Sequence, residues 1–154
     1  MGCAAEVIAL DDVRASQQRQ ALRQQLHERF DHWLDALERQ LPEAALTLTR
    51  VSETIWRLRQ PLTASVARTI VAHHHQEEHR RTHLHCTTCE RLLKARPAVP
   101  RTAQTLVGAI ERERPYFSCR HCQCGRSPLD EGLGVHAGRI QRDVQQAAVD
   151  LATE

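Results

Sequence analysis

The cysteines constrain this chain most tightly. Two Cys-x-x-Cys pairs, Cys86-Thr87-Thr88-Cys89 and Cys119-Arg120-His121-Cys122, are separated by 29 residues. Each pair sets two thiolates on one tight turn, and four thiolates about 2.3 Å from a common centre make the closed tetrahedral shell of a structural zinc site. The spacing therefore predicts a zinc ribbon holding one structural Zn2+ on Cys86, Cys89, Cys119 and Cys122. The separation exceeds the roughly 15 to 20 residues often found between such pairs, so a hairpin or loop must fill it. His85 and His121 flank or interrupt the pairs, and either could replace a thiolate.

The compartment bears on that choice. No run of about 20 apolar residues is present, and the first ten residues lack a basic start followed by a long apolar core, so neither a membrane span nor a signal peptide is expected. The expectation is a cytoplasmic protein, and in a reducing compartment paired cysteines serve metals more often than disulfides. Met1-Gly2-Cys3 resembles an acylation start, but Glu6 stands where Ser or Thr is wanted. At 154 residues, 41% hydrophobic and 26% charged, the composition is that of an ordinary soluble protein of one or two small domains. Aromatic residues make up only 3%. A large packed core is thus not expected, and a helical region joined to a metal-stapled module fits, since modules under about 70 residues usually need a metal or disulfides.

Charge is distributed unevenly. Residues 1–79 hold 9 Arg or Lys against 11 acids, residues 80–126 hold 10 against 3, and residues 127–154 hold 2 against 5. Positive charge thus gathers on the cysteine module, where a nucleic-acid backbone is the natural partner. The plainer alternative is a solubilising surface. Arg91, Lys94, Arg96, Arg101, Arg112, Arg114, Arg120 and Arg126 are the candidate phosphate contacts, with DNA favoured over RNA. All but Lys94 are arginine, whose planar fork suits phosphate and base edges.

The first half reads as helical. Asp11 or Asp12 is placed to cap a long helix, along which Leu22, Leu26, Phe30, Trp33, Leu37 and Leu41 recur at steps of 4, 4, 3, 4 and 4 before Pro42 ends it. So narrow a stripe can pack within the chain or pair with a second copy as a coiled coil, and self-association is the favoured expectation. A second helix is expected over 52–59, with Val51, Ile55 and Leu58 inward, Trp56 packing on the first helix and Pro61 as terminator. A third is expected over 62–83, started by Pro61, with Leu62, Val66, Thr69 and Ile70 on one side.

The end of that third helix contains His75-Gln76-Glu77-Glu78-His79, which matches the His-x-x-Glu-His pattern of inverted zinc peptidases. Positions 75 and 79 share a helix face. Such an enzyme also needs a third ligand and a substrate cleft, and the pattern lies in a His-rich run (His73, His74, His75, His79, His83, His85) where it arises easily by chance. A solvated polar face is the favoured reading, an accessory metal site the next, and the peptidase a remote one.

Between the cysteine pairs, residues 91–101 are basic and carry Pro97 and Pro100, which suggests a loose arm. Ile110, Arg112 and Arg114 then alternate with Glu111 and Glu113, and with Gly108 this predicts two short antiparallel strands. The run Arg101-Thr-Ala-Gln-Thr-Leu-Val-Gly-Ala-Ile-Glu-Arg-Glu-Arg-Pro-Tyr-Phe-Ser-Cys119, then Cys122, Gly125 and Ser127-Pro-Leu-Asp-Glu-Gly-Leu-Gly134, resembles the N-terminal segment of bacterial insertion-sequence transposases of the RNase H-like, DDE type. The likeness covers about residues 82–134 and is loose over the helices before them. It implies that Cys86, Cys89, Cys119 and Cys122 are the zinc ligands and that Cys124, which has no counterpart, is a spare thiol. Those transposases continue into a catalytic domain, whereas here a helix over 139–152, with Ile140, Val144, Ala148 and Leu151 on one face, would only begin that continuation. Asp130, Glu131, Asp143 and Asp150 are not read as a catalytic triad.

The expected architecture is mainly α: a helical bundle or hairpin over 1–85 with a long first helix, a zinc ribbon with a β-hairpin over 86–130, and a loop and helix over 131–154. The expected function is non-catalytic nucleic-acid binding, by a module derived from or accessory to an insertion-sequence transposase. A homodimer through the first helix and a transposition-related protein are the possible protein partners. The alternative is a zinc-stapled scaffold for protein interactions, because a ribbon alone does not imply nucleic acid.

Overall fold

The computed structural model describes residues 3–41, 46–135 and 138–153, with side chains from residue 10 onward. Met1-Gly2 and the expected helix stop at Pro42 lie outside the described residues. The architecture is mainly helical with small antiparallel sheets, and the chain divides into two compact units, Met1–Ile70 and Val71–Glu154.

The first unit contains helix α1, Cys3–Gln40, and most of helix α2, Leu48–His74. No Gly or Pro interrupts residues 3–41, so nothing stops helix propagation upstream of the aspartates. Asp11 and Asp12 are therefore exposed interior positions, which corrects the expected cap. Leu22, Leu26, Trp33, Leu37 and Leu41 are half-buried along one stripe, while Phe30 is more open and stacks on Trp33 at 5.5 Å.

Helix α2 begins at Thr47, whose Oγ1 accepts the Arg50 amide at 3.3 Å, the bond expected of an N-terminal cap. It then runs through Pro61, so the two helices expected on either side of that proline are one. A proline in a helix interior lacks its N–H and crowds the preceding turn. Here side chains serve the carbonyls nearby: Trp33 Nε1 donates to Leu58 O at 3.1 Å, and Thr63 Oγ1 donates to Arg59 O at 2.9 Å. The first of these comes from α1, whose Gln40 Oε1 also accepts from Arg57 Nη2 of α2 at 2.6 Å. Thr54 and Ala64 are the buried positions of α2, while the expected inward residues Ile55 and Ile70 stay partly open. Trp56 is 68% exposed with the Arg59 guanidinium 3.3 Å over its ring, a cation–π contact in place of the expected packing on α1.

The second unit is a set of hairpins. Helix α2 stops at His74, well short of the expected His83, because weak helix formers crowd its end. A turn at His75 and the short helix α3, Gln76–Arg80, lead to strand β1, His83–His85. Strand β2, Leu92–Lys94, pairs antiparallel with β1. The expected loose arm is instead part of strand β3, Arg96–Thr105, which pairs with strand β4, Gly108–Ser118, and the two-residue strand β5, Gly125–Arg126, completes the order β3-β4-β5. Pro97 and Pro100 are tolerated because β3 is an edge strand and its register shifts between Arg96 and Val99. Leu106 and Val107 form the hairpin turn, and Gly108 closes it at φ 112°, a value that side chains disfavour.

Helix α4, Pro128–Gly132, follows β5, and helix α5, Arg142–Thr153, ends the described chain. The segment before α5 is fastened to the β3–β4 turn: Gln104 N donates to Arg139 O (2.8 Å), Gln141 N to Gln104 O (3.0 Å) and Leu106 N to Asp143 Oδ2 (3.0 Å). The helix starts at Arg142 and not at the expected 139, so Ile140 lies before it, bridged to Gln104, and Leu151 on the expected apolar face is exposed. The core of this unit consists of Cys86, Leu93, Phe117 and Cys119, flanked by Leu84, Cys89, Ala95, Cys122 and Cys124. The thiols therefore belong to the core itself.

Candidate metal centre and arginine cluster

Each cysteine pair occupies the tip of a hairpin. β1 and β2 carry the loop 86–91, where Glu90 N donates to Cys86 O and Cys86 N to Arg91 O, both at 2.9 Å. β4 and β5 carry the loop 119–124, where Cys119 N donates to Cys124 O at 2.8 Å. In both loops the residue after the second cysteine is left-handed, Glu90 at φ 58° and Gln123 at φ 54°. That conformation costs an L residue about 1–2 kcal/mol. It curls each chain back so that the amides inside the loop point at the first sulfur.

The two tips bring four sulfurs together. Sγ atoms of Cys86, Cys89, Cys119 and Cys122 all lie within 4.8 Å of one another, with Cys86 and Cys119 buried. Four thiolates so placed can hold a metal ion such as zinc. The electrostatics are already polarised toward that role. The Thr88 and Cys89 amides pull the Cys86 thiol down to about 6, and the Cys122 and His121 amides pull Cys119 below its ordinary value. The Cys89 thiol, then burial, push Cys122 up to about 12. The amides thus favour the thiolate form of Cys86 and Cys119, whereas the neighbouring thiol and burial favour the protonated form of Cys122.

The alternative ligands stay outside this group. His121 Nδ1 lies 3.6 Å from Cys122 Sγ, and His85 is exposed on β1. Cys124 Sγ lies 3.5 Å from Cys86 Sγ, yet it is not one of the four mutually close atoms. Among the described residues these four cysteines are the only group of three or more potential ligands. His75 and Glu78 pair with each other at 3.7 Å, and the His75 ring packs on Gly132 of α4, where an added Cβ would lie 3.5 Å from its Cε1. Among the described residues no third ligand joins His75 and His79. Burial, then the His75 ring, hold His79 below its ordinary value.

The eight candidate phosphate contacts separate into two sets. Arg91, Lys94, Arg96 and Arg120 are exposed. The other four meet acids: Arg101 Nη1, Arg112 Nη2 and Arg114 Nη1 reach the Asp130 carboxylate at 2.9, 2.7 and 2.6 Å, and Arg126 forks onto Glu131. The alternation along β4 explains why Arg112 and Arg114 meet Asp130, since they turn inward while Glu111 and Glu113 turn out. Asp130 is buried at the first turn of α4 and organises this face, a role its sequence context left unassigned. The available signal was Pro128 at a helix start, which fixes the acid one turn into the helix.

Comparisons of the chain with protein-family models, with curated proteins and with solved structures find no match. The fold and site themselves define a class: a mainly helical protein whose second unit is built around a four-cysteine centre able to hold a metal ion.

Proposed function

We propose that the chain is a zinc-dependent nucleic-acid-binding module of the kind found at the N-terminus of insertion-sequence transposases, acting by binding rather than by catalysis. The four converging sulfurs support this reading, because four thiolates so close together would suit the closed shell of a structural Zn2+, which leaves no position for a substrate. Zinc supplies no chemistry here beyond neutralising the thiolates and joining the two hairpin tips. The exposed cations Arg91, Lys94, Arg96 and Arg120, with Arg80 and Arg81 of the same unit, then present a positive surface to phosphates. DNA is the preferred partner. Anisotropy of a labelled oligonucleotide tests this. Affinity should fall as salt rises, and combined Arg96→Gln and Arg120→Gln should weaken binding to all sequences alike. Binding indifferent to salt would refute it.

A second reading rests on the first unit. Phe30, Ile55 and Trp56 leave apolar surface open on α1 and α2, which supports a homodimer or a protein-interaction role. Light scattering separates the two, since a stable oligomer that binds no oligonucleotide favours the scaffold.

A further inference from the structure

An open cleft of about 600 Å³, lined by β3, β4, β5, α4, Val135 and Arg139, is not explained by the four-cysteine centre. Its walls carry four arginines, Arg101, Arg114, Arg126 and Arg139, against two carboxylates, Asp130 and Glu131. Arg112, behind them, also bonds Asp130 and leaves only 7% of its side chain exposed, so one carboxylate serves several guanidiniums where water screens little. A surplus of positive charge in such a place calls for an anion.

Two polar atoms agree with that demand. Ser127 Oγ, on a residue only 3% exposed, and Arg114 Nε are buried without a hydrogen-bond partner among the described residues, as is Arg112 Nε behind them, and both Ser127 and Arg114 line the cleft. Buried polar groups in folded proteins are nearly always satisfied, and a partnerless pair beside a cavity marks where an acceptor belongs. Tyr116 forms a fixed wall: its ring lies over Gly125, where any Cβ would collide with the phenol, and the Arg114 guanidinium stands 5.1 Å from its centroid. The volume lies in the range of small-ligand sites and exceeds what one inorganic anion fills.

We propose that this cleft is a subsite for one phosphate group, either that of a free nucleotide or one phosphodiester of a strand. Arg139 is exposed at the rim and holds its position through its backbone, so it supplies the entering contact, while Ser127 and Arg114 receive the phosphate oxygens deeper in. The subsite rests on the nucleic-acid reading only for the natural source of its phosphate.

The test is calorimetry and anisotropy on the full, zinc-loaded chain, using inorganic phosphate, adenosine 5′-monophosphate and a labelled single-stranded oligonucleotide. Arg139→Gln removes no side-chain bond to the described residues and should weaken phosphate and the monophosphate about tenfold, the worth of one charge-assisted contact. Ser127→Ala should weaken them in the same direction, whereas Arg23→Gln, at an exposed position of α1 that belongs to neither the cleft nor the candidate phosphate contacts, should leave them unchanged. Binding of phosphate and nucleotide with that Arg139 dependence supports the subsite, even if the oligonucleotide does not bind and the nucleic-acid reading falls. Oligonucleotide binding without any phosphate or nucleotide binding overturns the subsite and leaves the nucleic-acid reading standing. Equal weakening by Arg139→Gln and Arg23→Gln shows a diffuse surface effect and also overturns it.

Discussion

Replacing Asp130 by asparagine should release the second unit from its main polar tie. The carboxylate meets three guanidiniums at 2.6 to 2.9 Å, and the side chains are 7 to 21% exposed on the arginine side and 10% on the aspartate side. At an effective dielectric of about 20 each pair is worth about 4 kcal/mol before desolvation. Desolvation has already been incurred in the parent, and Asp130→Asn removes only the compensating charge while the guanidiniums stay crowded together. Breaking a buried pair from one side costs about 3–5 kcal/mol, a large share of the 5–15 kcal/mol that holds a typical domain together. Both tryptophans, Trp33 and Trp56, lie in the first unit, so their fluorescence is the wrong reporter. Metal release to a chromophoric chelator against urea follows the second unit directly. The midpoint should drop by the equivalent of about 3 kcal/mol or more, and replacing Asp130 and Arg112 together by apolar residues should recover part of it. A midpoint within about 0.5 kcal/mol of the parent, the range of an ordinary surface substitution, would show that the cluster is solvated and contributes little.

Other consequences are more local. Glu90 at φ 58° should be better served by glycine than by a β-branched residue, so Glu90→Gly should exceed Glu90→Val in stability by more than about 1 kcal/mol in metal-release titrations; equal stabilities would deny the left-handed turn. Trp33→Phe removes the indole donor from Leu58 O and should cost about 1 kcal/mol in thermal unfolding followed by circular dichroism, and no change would mean that α1 does not support the proline segment of α2. With Cys86 at about 6 and Cys122 at about 12 in the metal-free protein, zinc binding at pH 7 must expel the Cys122 proton. Affinity should therefore rise with pH, and calorimetry in buffers of different ionisation enthalpy should show proton release; a buffer-independent heat would contradict it.

The convergence of the four cysteines was easier to read from the sequence than the helices, and the reason is physical. A Cys-x-x-Cys turn is local chemistry, so its spacing carries over directly into the geometry of the two hairpin tips. Glu90 and Gln123 hide the left-handed turns that glycine would have announced. Pro61 reads as a break in any local rule, and only a donor from α1, Trp33, shows how the helix continues beside it. Pro97 and Pro100 suggest a loose arm until β3 proves to be an edge strand, where a missing amide does no harm. The alternation of Arg112 and Arg114 with Glu111 and Glu113 was visible, but Asp130, the acid that gathers the arginines, lies 16 or more positions away and is linked to them only through the fold.

Zinc content measured on purified parent chain, Cys119→Ser and Cys124→Ser tests the central claim most directly. One ion per chain is expected for the parent and for Cys124→Ser, with none retained by Cys119→Ser. Metal held by Cys119→Ser but lost from Cys124→Ser, or a parent whose four thiols are joined as disulfides with no ion, would contradict it.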